Sequence, residues 1–342
     1  MKSLVISDVE KTEFVETTRP DPGAGEVLVD VKFVGLCGSD LNTYLGLNPL
    51  VQLPRIPGHE IGGVVAAQGP DVGPDLAVGQ PVVVIPYTTC GSCPSCRKGR
   101  VNACQYNQTL GVQQDGALRP QIVVKTDRLI PNDTLPLDQL ALVEPLSVGF
   151  HAVARGSVVA QDSVLVLGGG MIGAGAILGA KARGARVLVS EPSPAKRDGL
   201  KALGVDMIIN PASQDIAMMV AEATEGAGPD VIVEAVGTSQ TFRAAVDLAP
   251  FAGRVVYVGY AKAEVAYDTK YFNLKELDIF GSRNATRADF EQVIGFLEAN
   301  PHIATQLISK VIPWPRADGA LYHWTKHRDE TFKIIIDMQA GV

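Results

Sequence analysis

The stretch from residue 163 to residue 191 constrains this chain more than any other. Ser163-Val-Leu-Val-Leu167 is a short, wholly apolar run that leads into Gly168-Gly-Gly-Met-Ile-Gly173, and an alanine-rich run then continues to Arg183. Strand, G-x-G-x-x-G and helix in that order form the context in which the glycine pattern carries meaning. Gly168 permits the tight turn, Gly170 lets the backbone approach a pyrophosphate, and Gly173 lets helix and strand pack closely. Met171 and Ile172 open the helix, whose free N–H groups and macrodipole would hold the phosphates. A second apolar run, 185–190, ends at Glu191, about 20 residues beyond the glycines. A carboxylate there accepts hydrogen bonds from an adenosine ribose and repels a 2′-phosphate, so the segment predicts a dinucleotide site and NAD over NADP. Lys196 and Arg197 follow closely and could attract a 2′-phosphate, or else stack on adenine or face solvent; Arg197 is counted among the cofactor contacts.

A chain of 342 residues is long enough for about two domains. With 46% hydrophobic and 20% charged residues it can bury a large core. No apolar run is long enough to span a bilayer, and the apolar run after Met1 is too short for a signal peptide, so a soluble, cytoplasmic protein is expected. A net charge of −7 without a dense basic run argues against nucleic acid or anionic membrane as partner. A small-molecule substrate remains.

Residues 1 to about 85 are rich in β-branched side chains, with turns at Pro20-Asp-Pro-Gly23, Asn48-Pro49 and Gly69-Pro70. They predict short strands of a small barrel or sandwich, 25–34 and 61–67 among them. A Gly- and Pro-bearing lobe follows at 90–104, then strands at 122–124 and 129–130 and a helix from 136 to 151. Strand and helix candidates alternate from 164 to 258, which means βαβ units and a parallel sheet. Further elements are expected at 277–280 (strand), 290–299 and 315–325 (helices) and 331–337 (strand). The fold class is α/β, with a doubly wound domain at 149–283 inserted into a β-rich domain made of 1–148 and 284–342. Glu234-Ala-Val-Gly237 and Val258-Gly259 end the fourth and fifth strands of the parallel sheet. Ligands in such sheets sit outside the carboxyl ends of strands, so Val236 and Val258 are expected on the nicotinamide side.

Of five cysteines, four fall within fifteen residues as C-x2-C-x2-C-x7-C: Cys90, Cys93, Cys96 and Cys104. Clustering of this kind is metal chemistry rather than a disulfide framework. Four thiolates on a turn-rich loop suit a closed, tetrahedral structural zinc. An iron–sulfur run would place the fourth cysteine after three residues, followed by proline; here the gap is seven and Gln105 follows. Cys37 is left over, in Gly35-Leu-Cys-Gly-Ser-Asp40, and Gly58-His59-Glu60 comes shortly after. A catalytic zinc takes about three protein ligands and keeps an open position. Beyond Cys37 the ligands must be His or carboxylate, and Glu60 and Glu144 are both candidates. His151 is read as structural.

The order and spacing of Cys37-Gly-Ser-Asp40, Gly58-His-Glu60, the four-cysteine lobe, Glu144-Pro-Leu and Gly168-x-Gly-x-x-Gly173 resemble the zinc-dependent medium-chain alcohol dehydrogenase family over essentially the whole chain. Glu60 and Glu144 resemble its polyol (sorbitol) dehydrogenase branch. Residues 48–60 and Lys275-Glu-Leu-Asp-Ile-Phe-Gly-Ser-Arg283 are similar to a subgroup that oxidises sugar acids such as L-galactonate. The resemblance implies a GroES-like catalytic domain beside a Rossmann domain. It also implies two zinc ions per chain, hydride transfer from a secondary alcohol to NAD, and a homodimer or homotetramer. On the same ground, Cys37, His59 and a carboxylate hold the catalytic zinc, Ser39 takes the alcohol proton into a relay, and Asp40 orients His59. Many relatives end that relay at a histidine where this chain has Asn42. Arg283 and Asn284 are candidate carboxylate contacts, and Tyr44 and Asn48 candidate hydroxyl contacts. A threonine or small-diol dehydrogenase ranks second, and a nucleotide-binding structural or redox-sensing protein is the non-enzymatic alternative.

Overall fold

The computed structural model describes residues 1–340. The chain divides into two compact units, one made of Met1–Glu144 with the chain from Leu297 onward, the other of Pro145–Phe296.

The first unit opens with a hairpin of β1 (Lys2–Asp8) and β2 (Lys11–Glu16). Its main sheet is built on the eleven-residue β3 (Glu26–Leu36), which runs into the short α1 (Gly38–Tyr44). β4 (Glu60–Gln68) pairs along one side of β3, and β5 (Pro81–Val84) pairs with β4. The four-cysteine lobe follows, with α2 (Pro94–Arg97), and then β6 (Gln121–Lys125) and β7 (Leu129–Pro131). β6 takes the first half of the other side of β3, from Glu26 to Asp30. The nineteen-residue α3 (Leu137–Arg155) leaves this unit, and Pro145, which has no N–H to donate, lies inside it at the unit boundary.

The second unit is a doubly wound sheet. Its elements are β8 (Ser163–Leu167), α4 (Met171–Ala182), β9 (Arg186–Ser190), α5 (Pro194–Lys201), β10 (Met207–Ile209), α6 (Ile216–Ala223), β11 (Val231–Glu234), α7 (Ser239–Asp247), β12 (Arg254–Tyr257), α8 (Lys270–Leu274) and β13 (Asp278–Gly281). All neighbours pair in parallel, in the order β10-β9-β8-β11-β12-β13. The order reverses between β8 and β11, and a crevice opens at such a switch point. Buried Val, Leu and Ile fill both faces of the central strands, as sheets covered by helices on both sides require.

α9 (Arg287–Ala299) crosses back. The unit boundaries fall after 144 and after 296, whereas the sequence pattern put them after 148 and after 283. The second shift has a visible cause: Phe296 meets Phe150 edge to face, and Asp289 pairs with His151 at 2.9 Å, so most of α9 packs on the parallel-sheet unit. Helix α10 (Pro301–Leu307), β14 (Ile308–Pro313), α11 (Ala320–Lys326) and β15 (Lys333–Asp337) complete the first unit. β15 takes the second half of the free side of β3, opposite Phe33–Leu36, and β14 adds outside it. The helix expected at 315–325 begins as a 3-10 turn over Trp314–Gly319. No helix among the described residues is long and apolar enough to cross a membrane.

Candidate active site

Four sequence-distant elements deliver side chains to one place in the first unit. Cys37 follows the last residue of β3, Glu60 starts β4 with His59 just before it, Lys333 starts β15, and Glu144 sits on α3. The register explains the convergence: Gly35 on β3 faces Glu60 on one side and Ile335 on the other. Gly35 must be glycine, because a Cβ there would overlap the Glu60 carboxylate. Gly58 turns the chain into β4 with φ +96°, a left-handed conformation that favours glycine.

Cys37 Sγ, a ring nitrogen of His59 and a carboxylate oxygen of Glu60 all lie within 4.8 Å of one another. Glu144 is not among the donors of that group, though its charge is felt by His59. Burial would depress the His59 imidazole, but the Cys37 sulfur, Asp40 and Glu144 outweigh burial and raise it well above its ordinary value. This is a spot whose surroundings favour a positive charge. His59 Nδ1 and Ser39 Oγ are buried and have no hydrogen-bond partner among the described residues. One soft thiol, one imidazole and one carboxylate are the donor types a catalytic zinc takes.

Asp40 was expected to orient His59. Its Oδ1 stands 4.0 Å from Nδ1, beyond a direct hydrogen bond, while its two oxygens accept the backbone N–H groups of Gly58 (3.1 Å) and Cys37 (2.8 Å). Asp40 thus ties together the two chain segments that carry the candidate ligands.

Two residues with no assignment from sequence complete the surroundings. Lys333 Nζ donates to both oxygens of Glu60, to Oε1 at 2.6 Å, and to the carbonyl of Leu36 at 2.9 Å. The pair is sealed from water, with side chains 2% and 0% exposed. Tyr87 donates its phenolic O–H to Glu144 Oε1. Burial raises the Glu144 carboxyl, and burial together with the Glu144 charge raises the phenol well above its usual range. A lysine opening the otherwise apolar Lys333-Ile-Ile-Ile run is the one sequence signal that pointed to the first.

In the lobe, all four sulfurs lie within 4.8 Å of one another. Thiolates about 2.3 Å from a tetrahedral zinc stand about 3.8 Å apart, and Cys93 Sγ is 4.0 Å from Cys104 Sγ. Hydrogen bonds to the Cys93 sulfur, that of the Ser95 hydroxyl first, lower its thiol to about 5. The donor set fits a closed zinc site.

In the second unit the glycine-rich turn has the expected geometry. Gly168 has φ +95°, a Cβ on Gly173 would overlap the Gly168 carbonyl, and a Cβ on Gly170 would meet nothing within 4 Å, leaving that face open to a ligand. Met171 and Ile172 form the first turn of α4. Glu191, at the end of β9, accepts from Gly169 N and Ser193 N, both at 2.8 Å. Arg197 donates from one guanidinium nitrogen to the carbonyls of Glu191 and Pro192, which caps that turn. Glu234 organises the opposite wall: its Oε1 accepts from Val236 N, Gly237 N and Thr241 Oγ1 within 2.9 Å. Its carbonyl accepts from Val258 N and Gly259 N. The loops bearing Val236 and Val258 are thereby fixed to one residue.

The remaining candidates lie as follows. Tyr44 is buried in the core of the first unit. Asn48 braces its own turn, donating to Thr43 Oγ1 at 3.1 Å and accepting from Leu50 N. Arg283 is exposed just after β13, beside Asn284 at φ 52°, in the second unit. Asn42 uses its carbonyl to accept from Leu47 N.

A parallel sheet with a glycine-rich turn, carried on one chain with a Cys/His/Glu donor set, is the architecture of a metal-dependent, nucleotide-dependent oxidoreductase. Sequence comparison places it more closely. Residues 23–136 match the model of the alcohol dehydrogenase GroES-like domain, and residues 172–299 that of the zinc-binding dehydrogenases. L-galactonate-5-dehydrogenase of Escherichia coli K12 is 34% identical over 90% of each chain. Sorbitol dehydrogenase of Halalkalibacterium halodurans is 32% identical over 98% of this chain and 99% of that one. Among solved structures, a short chain alcohol dehydrogenase (rspB) of E. coli CFT073 complexed with NADH superposes with a TM-score of 0.91, at 30% identity and 99% coverage of both chains. The chain belongs to the zinc-type medium-chain alcohol dehydrogenase family, and it is an oxidoreductase.

Proposed function

We propose that this chain oxidises a secondary alcohol of a sugar acid or polyol with NAD, using one catalytic and one structural zinc. The observation that carries the reading is the convergence of Cys37, His59 and Glu60 within 4.8 Å. Cys37, His59 and Glu60 would be the direct ligands, and Glu144 an outer carboxylate held by Tyr87. Bound zinc would supply Lewis acidity toward an alcohol oxygen, and bound NAD the hydride acceptor.

The chain's own residues do the rest. Asp40 keeps the two ligand segments in register. Ser39 Oγ, buried and without a hydrogen-bond partner among the described residues, would take the alcohol proton while passing its own on to a ribose hydroxyl of the cofactor. Asn42 cannot titrate near neutrality, so the proton would leave that region by ordered water or past a carboxylate. Glu191 holds the adenosine ribose and disfavours a 2′-phosphate, and Glu234 holds the loops on the nicotinamide side. The four-thiol lobe takes the second zinc. The names of the two relatives support acidic or neutral sugar derivatives as substrates, with Arg283 the candidate clamp for a carboxylate. A dimer or tetramer is in keeping with β13, an edge strand that exposes Ile279.

The test is initial-rate NAD reduction over hexonates, hexitols, threonine and small diols, before and after chelation. A sugar acid or polyol is expected to dominate, with chelation abolishing the rate. Turnover only with threonine or a small diol would overturn the substrate class, and turnover only with NADP would overturn the reading of Glu191.

A further inference from the structure

We propose that Tyr87 is a positioning residue through which the four-cysteine lobe holds the Glu144 carboxylate. The proposal rests on the reading of the Cys37 centre given above, and its parts are all within the first unit.

Tyr87 stands three residues before Cys90, on the stretch that leads from β5 into the lobe. That stretch is laced to the far end of the lobe. Leu110 N donates to the Pro86 carbonyl at 3.1 Å, Asn107 Oδ1 accepts Thr88 N at 3.1 Å, and Thr88 Oγ1 accepts Gln108 N at 2.7 Å. Cys90 N reaches Cys104 Sγ at 3.4 Å. The lobe therefore sets where the Tyr87 ring stands. From that address the buried phenol donates to Glu144 Oε1.

The consequence follows from the cost of a buried carboxylate. Glu144 has little water to turn to, so a donated phenolic hydrogen bond both stabilises its charge and orients it. With one oxygen committed to Tyr87, Glu144 is kept as an outer neighbour of the Cys37, His59 and Glu60 group instead of swinging into it. Partners that orient the groups around a metal commonly affect its affinity or activity by about 10- to 100-fold when lost. The lobe, in this account, does more than tie down a loop: it fixes the surroundings of the catalytic metal through one hydrogen bond.

The test uses the full chain with cobalt in place of zinc, because zinc is spectroscopically silent. Tyr87→Phe is expected to shift the visible absorption of the cobalt protein at unchanged metal content, and to lower kcat/KM about 10- to 100-fold. Asn107→Ala, which removes the acceptor for Thr88 N, is expected to shift the spectrum in the same direction by less. In a Glu144→Ala background, Tyr87→Phe should leave the spectrum where Glu144→Ala puts it and should lower the unfolding midpoint by clearly less than it does in the parent. An unchanged Tyr87→Phe spectrum, or additive effects with Glu144→Ala, overturns the proposal; a silent Asn107→Ala overturns the part given to the lobe. The midpoint cycle needs no turnover. A protein that reduces neither NAD nor NADP with any of the alcohols tested therefore refutes the proposed substrate reading, while the cycle still decides the bond between Tyr87 and Glu144.

Discussion

The two clusters of candidate metal ligands are built on opposite plans. The lobe draws four like donors from fifteen consecutive residues, and little beyond turns and short helices surrounds them. The centre at Cys37 draws unlike donors from the end of β3 and the start of β4, and further charged groups from α3 and β15 crowd around it in a buried setting. A closed set of four identical ligands leaves nothing for a substrate, whereas three mixed ligands leave a position open. The difference teaches where to look for chemistry: at the site whose buried carboxylates each needed a donor, Glu60 the Lys333 ammonium and Glu144 the Tyr87 phenol.

The comparison is broken or sharpened most strongly at Cys37. Cys37→Ser should lower turnover by roughly a thousandfold, the loss of several kcal/mol at about 1.4 kcal/mol per decade. Metal content should fall from two zinc ions per chain to one, as read by elemental analysis. Loss of both ions would show that the two centres are not independent. Next comes Lys333→Met, which leaves Glu60 buried without its cation. Removing one partner of a buried pair costs about 3–5 kcal/mol, so urea unfolding of the metal-free protein should register a loss of that size, and zinc should recover part of it. If metal-free Lys333→Met is as stable as the parent, the pair is not the device described here.

Smaller effects bear on the second unit and on the lobe. Glu191→Ser should weaken NAD by about tenfold, the worth of hydrogen bonds to a charged acceptor. It should also raise the ratio of NADP to NAD turnover and leave both metals in place. The mildest change is Ser95→Ala. The Ser95 hydroxyl is 3.1 Å from Cys93 Sγ and helps hold that thiol at about 5. Without it the thiol rises and protons compete better with metal, so the lobe should release zinc on acidification at a higher pH, by less than about one unit. An acid titration followed with a zinc-sensitive dye would show the shift, and no shift would mean that Ser95 is a bystander.

What could be read from sequence follows the same division. Local patterns were legible: Gly168–Gly173 between an apolar strand and a helix, and four cysteines on one turn-rich loop. Cys37, His59 and Glu60 were legible as candidates because no other thiol remained. Choosing between Glu60 and Glu144 was not possible, since that depends on register, with Gly35 facing Glu60 and opening space for its carboxylate. Lys333 and Tyr87 went unassigned because their partners are 273 and 57 residues away, and no periodicity links them. β14 was missed for another reason: its Ser309, Lys310 and Val311 are all exposed, so this outer strand lacks the alternation that marks a buried face.

The most direct test of the account is anomalous diffraction at the zinc edge from crystals of the full chain grown with zinc and NAD. Two peaks per chain are predicted, one among Cys90, Cys93, Cys96 and Cys104, the other bonded to Cys37, His59 and Glu60 with Glu144 outside its direct ligands. A single peak in the lobe, or a second one bonded to Glu144 in place of Glu60, would contradict it.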